Sequence, residues 1–161
     1  MSPLTESQIR TSFVNLTGGE AKRANLPTDL ATTSWTELDY LGWRDPKSPQ
    51  RGYLVAEHDG VLRGIGLRLA AHTAGPRKTM CSLCMTVGDV TLMVAARAGR
   101  SGQAGNTVGT YVCTELVCSL YARDKLRPRG EIARETMAVE QKIQRLRGNL
   151  DEFVARVLKP A

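Results

Sequence analysis

Four cysteines carry the clearest capacity for chemistry in this 161-residue chain. Cys81 and Cys84 form a C-x2-C pair, 28 residues separate Cys84 from Cys113, and Cys113 and Cys118 close the set as C-x4-C. Thiolates are soft ligands, and four of them at tetrahedral geometry suit Zn²⁺. The alternatives are buried, unligated cysteines or a redox pair. A closed four-thiolate site would be structural, because catalytic zinc keeps one position open. The second pair has an awkward spacing. Two helical residues five apart lie about 140° apart around the axis and cannot converge on one ion. If Cys113 ends a strand, the constraint disappears: Thr114 and Glu115 then open a helix and Cys118 points back from its first turns. Four thiolates around Zn²⁺ carry a net negative charge, which Arg77, Lys78 and Arg123 could offset.

Other catalytic arrangements find little support. There are two histidines. His58 falls in a turn beside Asp59 and His72 in a polar stretch, so both are expected to be exposed turn residues. Gly64-Ile65-Gly66 lies within a strand pattern and lacks the strand-to-helix setting of a dinucleotide loop. "GRSGQAGNTVG" lacks the Gly-Lys-Ser/Thr ending of a nucleotide-binding loop and reads as flexible connector. No paired acids stand out, and the expectation is a protein that is not an enzyme.

The elements that must position the cysteines follow from local pattern. Thr5 and Gln8 make a capping signature for a short helix containing Ile9 and Phe13. "LTGGEAKRANLP" reads as connector, and residues 27–43 as short helical turns with Leu30, Trp35, Leu38 and Leu41 inward. "RDPKSPQRG" is a turn. Two β-rich runs flank His58-Asp59-Gly60, a strong hairpin signal. "VTLMVAAR" and "TYVC" are strands, and "TELVCSLYARDKL" a helix. From Gly130 to Leu158, Ile132, Thr136, Val139, Ile143, Leu146, Leu150, Phe153 and Val157 recur at alternating four- and three-residue steps. Gly148-Asn149 predicts a kink or a second helix start. This segment either packs back on the domain or dimerises. The fold class is α+β, with a domain over 1–128 and a helical segment over 129–161. A hairpin, a knuckle, strands and a helix in this order resemble a treble-clef zinc finger.

Charge is concentrated in the middle of the chain. Residues 61–130 hold ten basic and three acidic side chains, against six and eight in residues 1–60. Such an excess fits an acidic protein partner or nucleic acid, or simply a solvated face. The N-terminus lacks the basic and apolar blocks of a signal peptide, and no apolar run approaches the roughly 20 residues that span a bilayer. A cytoplasmic protein without membrane contact is expected.

"LGWRDP", "MCSLC", "VTLMVAARAG", "GNTVGTYVCTELVCSLYAR" and "VEQKIQRLRGNLDEFVARVL" together resemble the elongation-factor-G-binding protein family, related to FusB-type fusidic acid resistance proteins. The resemblance covers nearly the whole chain. It implies one structural zinc on Cys81, Cys84, Cys113 and Cys118. It also implies a binding activity: docking on elongation factor G and freeing it from the ribosome where fusidic acid has trapped it. Larger members carry an N-terminal helical bundle, so a short stand-alone member is expected here. The matching contact candidates are Arg77, Lys78, Met80, Leu92, Met93 and Arg97, with Tyr53 a weaker one. Leu92 and Met93 are adjacent on a strand and must face opposite ways. The alternative is a basic zinc domain binding RNA or the ribosome, although its few aromatics are not interleaved with the basic run. A small-molecule substrate is not expected.

Overall fold

In a computed structural model of the chain, residues 1–71, 75–130 and 135–160 are described. His72 and Ile132 lie outside them. Two capping boxes open the chain. Thr5 and Gln8 bracket α1 (Glu6–Ser12), and Thr17 and Glu20 bracket α2 (Gly18–Arg23). The stretch expected to be a connector therefore folds, because Thr17 and Glu20 satisfy the first N–H groups of the helix reciprocally. A single 3₁₀ turn, Trp35–Glu37, follows, and Leu41 belongs to a strand rather than a helical turn.

The six strands β1 (Leu41–Arg44), β2 (Arg51–His58), β3 (Val61–Leu69), β4 (Arg77–Met80), β5 (Val87–Ala96) and β6 (Thr107–Cys113) form one antiparallel sheet. Asp59 and Gly60 take φ of 50° and 71°, the left-handed pair that a two-residue hairpin turn between β2 and β3 requires. β5 is the axis of the second half of the sheet, pairing with β3, β4 and β6. The glycine-rich stretch after β5 contains the short helix α3 (Gly99–Gln103).

Alternation along the strands gives the sheet two apolar faces. On β2, Tyr53 and Val55 join Ile9, Trp35 and Trp43 in one cluster. Leu54 and Ala56 join a larger one built with Met93, Val112, the four cysteines and α5 (Val139–Leu158). Gly64 and Gly66 explain how the N-terminal segment approaches the sheet. A Cβ at Gly64 would stand 2.5 Å from Ser12 Oγ, and one at Gly66 2.4 Å from Leu16 Cδ2. Asn15 fills the gap, its amide bonding both the N–H and the carbonyl of Gly66 and the carbonyl of Ala96. The Gly-Ile-Gly motif is a bare strip of backbone for packing.

On the opposite face α5 runs unbroken from Val139 to Leu158. The second helix start expected at Gly148-Asn149 does not occur. Leu146, Leu150, Phe153, Val154 and Val157 are buried in the same core as the sheet, and their burial outweighs the roughly 1 kcal/mol that a glycine costs a helix. Among the described residues, no helix is long and apolar enough to cross a membrane.

Candidate metal centre

The first cysteine pair sits in the turn between β4 and β5. Cys81 follows β4 directly, its N–H donates to the Thr86 carbonyl at 3.0 Å, and Met85 N–H donates to the Cys81 carbonyl at 3.0 Å. Met85 adopts φ 62°, which reverses the chain, and Leu83 N–H points at Cys81 Sγ, 3.3 Å away. Ser82 N–H donates to the Tyr111 carbonyl at 2.7 Å, tying this knuckle to β6.

The second pair solves its spacing by a different route from the expected one. Cys113 is the last residue of β6 and Cys118 is the first of α4 (Cys118–Ala122). Thr114 and Glu115 do not open the helix. A turn closes with Leu116 N–H donating to the Cys113 carbonyl at 2.9 Å, and Leu116 itself takes φ 57°. The Leu116 side chain is buried in the core, so packing fixes the uncommon backbone conformation. Cys118 N–H reaches the Tyr40 hydroxyl.

All four thiols are buried, and their sulfurs lie within 4.8 Å of one another. Cys81 and Cys118 sulfurs are 3.7 Å apart, and Cys84 and Cys113 sulfurs 3.5 Å. A disulfide needs about 2.05 Å. Zinc–sulfur bonds of about 2.3 Å in a tetrahedron place sulfurs about 3.8 Å apart, so the donor set fits Zn²⁺. Hydrogen bonds from Cys113 and Cys118 hold the Cys81 and Cys84 thiols below the ordinary thiol value. The same bonding, with burial, pushes Cys118 well above it. Four thiolates can share this space only with a cation among them. Burial, with Cys113 the next cause, pushes the Tyr121 hydroxyl up to about 12.

Of the arginines and lysine expected beside the thiolates, two are paired with carboxylates and one is exposed. Arg123 forms a two-bond pair with Asp39, 2.5 and 3.1 Å, and Lys78 pairs with Asp89 at 2.9 Å. Arg77 is exposed on β4. A cation that does reach the knuckle is Arg145 on α5, which donates to the Cys84 carbonyl at 2.9 Å. Sequence spacing carried no signal for this contact, which crosses 61 residues.

The contact candidates separate by burial. Arg77, Lys78 and Met80 are exposed on β4, and Leu92 is half-buried on β5. Met93 and Tyr53 are corrected: Met93 is fully buried, and Tyr53 is stacked on Trp43 and edge-on to Phe13 inside the N-terminal cluster. Neither presents a surface. Arg97 donates to the carbonyls of Arg156 and Lys159, closing the C-terminal end of α5. His58 is also corrected. Its ring is mostly covered, and Nδ1 stands 2.5 Å from an Asp151 carboxylate oxygen, joining the β2–β3 hairpin to α5. Val87, Tyr111 and Leu126, not singled out by sequence, are exposed large apolar side chains. A 420 Å³ cleft beside the knuckle is lined by Met80, Met85, Val87, Tyr121, Leu126 and Pro128, among others.

A profile of the FBP C-terminal treble-clef zinc-finger family matches residues 8–157. The chain belongs to that family. The treble-clef zinc-finger fold and the cysteine cluster are thus accounted for together. Among solved structures, the fusidic acid resistance protein FusC is similar, with a TM-score of 0.60 and 19% sequence identity. The likeness takes in 99% of this chain and 60% of that one, so this chain spans about three fifths of the length of that protein. No curated protein sequence matches the chain.

Proposed function

We propose that this protein is a zinc-stabilised binding module for elongation factor G, acting in the cytoplasm and promoting release of the factor from the ribosome. The observation that carries this reading is the family match across residues 8–157. FusC, which shares the fold, is a fusidic acid resistance protein, and this supports a translation-related role of the same kind. One Zn²⁺ per chain is held by Cys81, Cys84, Cys113 and Cys118, and it supplies cross-linking rather than chemistry. No covalent bond of the partner is made or broken; the binder favours the conformation of the factor that has left the ribosome.

The surface beside the metal centre has the required character. Met80 and Val87, register partners on β4 and β5, share one face of the sheet and are 47% and 45% exposed. Exposed Lys78, two residues before Met80 on β4 and on the same face, places positive charge beside this apolar surface, and exposed Arg77 stands at the start of the strand. Apolar anchors within a charged rim are the usual anatomy of a protein interface.

Calorimetric titration of purified elongation factor G into the zinc-loaded protein tests the reading, alone and with ribosomes carrying the trapped factor. Saturable binding and faster release of the factor are expected. Absence of binding at tens of micromolar overturns it, and binding to ribosomal RNA alone makes the chain an RNA-binding zinc domain instead.

A further inference from the structure

Two side chains of α5 reach the metal knuckle from adjacent turns of one helix face. Arg145 Nη2 donates to the Cys84 carbonyl and Asn149 Nδ2 to the Leu83 carbonyl, each at 2.9 Å. These carbonyls belong to the two successive peptide planes that begin at Leu83 and Cys84. A trans peptide holds its C=O and N–H in opposite directions. Fixing the Cys84 carbonyl on Arg145 therefore aims Met85 N–H the other way, where it closes the turn on the Cys81 carbonyl at 3.0 Å. The Leu83 carbonyl, fixed on Asn149, likewise sets the direction of Cys84 N–H.

Charge adds to the geometry. Arg145 is also anchored by Glu135, which accepts from both of its terminal nitrogens. Nη2 thus bridges Glu135 and the knuckle, bringing a guanidinium beside a centre that four thiolates make negative. Its Nε is buried with no hydrogen-bond partner among the described residues, so the group is held through its terminal nitrogens.

We propose that Arg145 and Asn149 are positioning residues of the metal centre: α5 clamps the knuckle peptides in their ligating conformation and slows loss of the ion. The clamp rests on the zinc reading of the four cysteines. It makes retention of the metal a property of the C-terminal helix as well as of the ligands. Outer contacts of this kind typically change metal affinity by about 10- to 100-fold.

The test uses the zinc-loaded full chain and its variants Arg145→Gln, Arg145→Lys, Asn149→Ala and Arg147→Gln. Arg147 lies on the same helix but pairs with Asp39 rather than with a knuckle carbonyl, and so reports general loosening of α5. Zinc transfer to a chromogenic chelator gives the release rate, and thermal melting shows which variants are folded. Release about tenfold faster in Arg145→Gln, slower than that in Arg145→Lys, and unchanged in Arg147→Gln is the expected pattern. Asn149→Ala is the milder change and keeps the test valid if Arg145→Gln does not fold. Cobalt(II) replaces zinc in a second measurement, where loss of the guanidinium should shift the sulfur-to-cobalt charge-transfer band. Wild-type release rates in both knuckle variants, or equal acceleration by Arg147→Gln, overturn the clamp while leaving the zinc reading intact. A wild-type chain that binds no zinc removes both.

Discussion

Leu116 shows how one residue resolves the C-x4-C spacing. Its left-handed backbone turns the chain between the end of β6 and the start of α4, at a cost of roughly 1–2 kcal/mol for a residue with a Cβ. Burying a leucine side chain contributes about 1.5–3 kcal/mol, enough to hold it there. The glycine beneath it is equally constrained. A Cβ at Gly42 would meet Tyr40 Cε2 at 2.5 Å and the Leu116 carbonyl oxygen at 2.8 Å, and a backbone atom cannot step aside as a side-chain tip can. Gly42→Ala should lower stability by about 1–3 kcal/mol in urea melts; a neutral result would mean that the turn around Leu116 is free to shift. The ligands themselves matter more. A structural zinc contributes on the order of 10–16 kcal/mol, as much as the whole stability of a typical domain. Cys113→Ser or Cys118→Ser should therefore leave a largely unfolded chain with no bound zinc, read by circular dichroism and metal analysis. A folded, zinc-free variant would contradict the structural role.

Among the elements, α5 is the one on which most of the molecule converges. Phe153 is fully buried in it, whereas Arg156 lies over that ring from outside at 5.8 Å. Phe153→Ala should cost about 3–5 kcal/mol and Arg156→Ala less than about 1 kcal/mol, a contrast that denaturant melts can resolve. Arg147 of α5 and Arg123, just past α4, both bind the fully buried Asp39 carboxylate. Burial raises the Asp39 pKa, but the two guanidiniums outweigh it and hold the group below its ordinary 3.8. With the folded value depressed, the contribution is complete above 3.8 and fades as pH falls through the lower folded value. Asp39→Asn should therefore be destabilised by about 3–5 kcal/mol, with the deficit flat from pH 6 to 8. A deficit that changes across that range would mean another group titrates with it. Local signals made much of this architecture legible. Asp59-Gly60 sets its own hairpin, Thr5 and Gln8 their own cap, and the apolar spacing of α5 its buried stripe. What stayed hidden depends on partners far along the chain. "PRKTM" has no alternation of its own and becomes β4 only through pairing with β5. Gly148-Asn149 reads as a break, yet packing carries the helix through it and Asn149 bonds a knuckle carbonyl. Tyr53 and Met93 looked available because strand residues reveal their face only once both layers are in place.

At the scale of the whole molecule, one sheet is held between an N-terminal layer and α5, and the metal centre fastens the far end of that sheet to α4. The exposed apolar and basic residues are carried on β4, β5 and β6, the strands from which three of the four ligand segments leave. Binding surface and metal centre are thus built on one scaffold, and removing the ion should abolish partner binding together with the fold. Salt tells what kind of partner that surface takes. RNA bound through six to ten phosphates loses about 10³–10⁵ in affinity between 50 and 200 mM salt, because each neutralised phosphate releases counterions. An interface centred on Met80 and Val87 gains its affinity from apolar surface removed from water, which salt does not screen, while Arg77 and Lys78 contribute mainly to encounter. Titration against elongation factor G over that salt range should therefore weaken binding by about tenfold or less. Replacing Met80 and Val87 together with serine should weaken it more than replacing Arg77 and Lys78 with glutamine. A slope as steep as the RNA case, or the opposite order of the two double variants, would place the affinity in the charge rather than in the apolar centre.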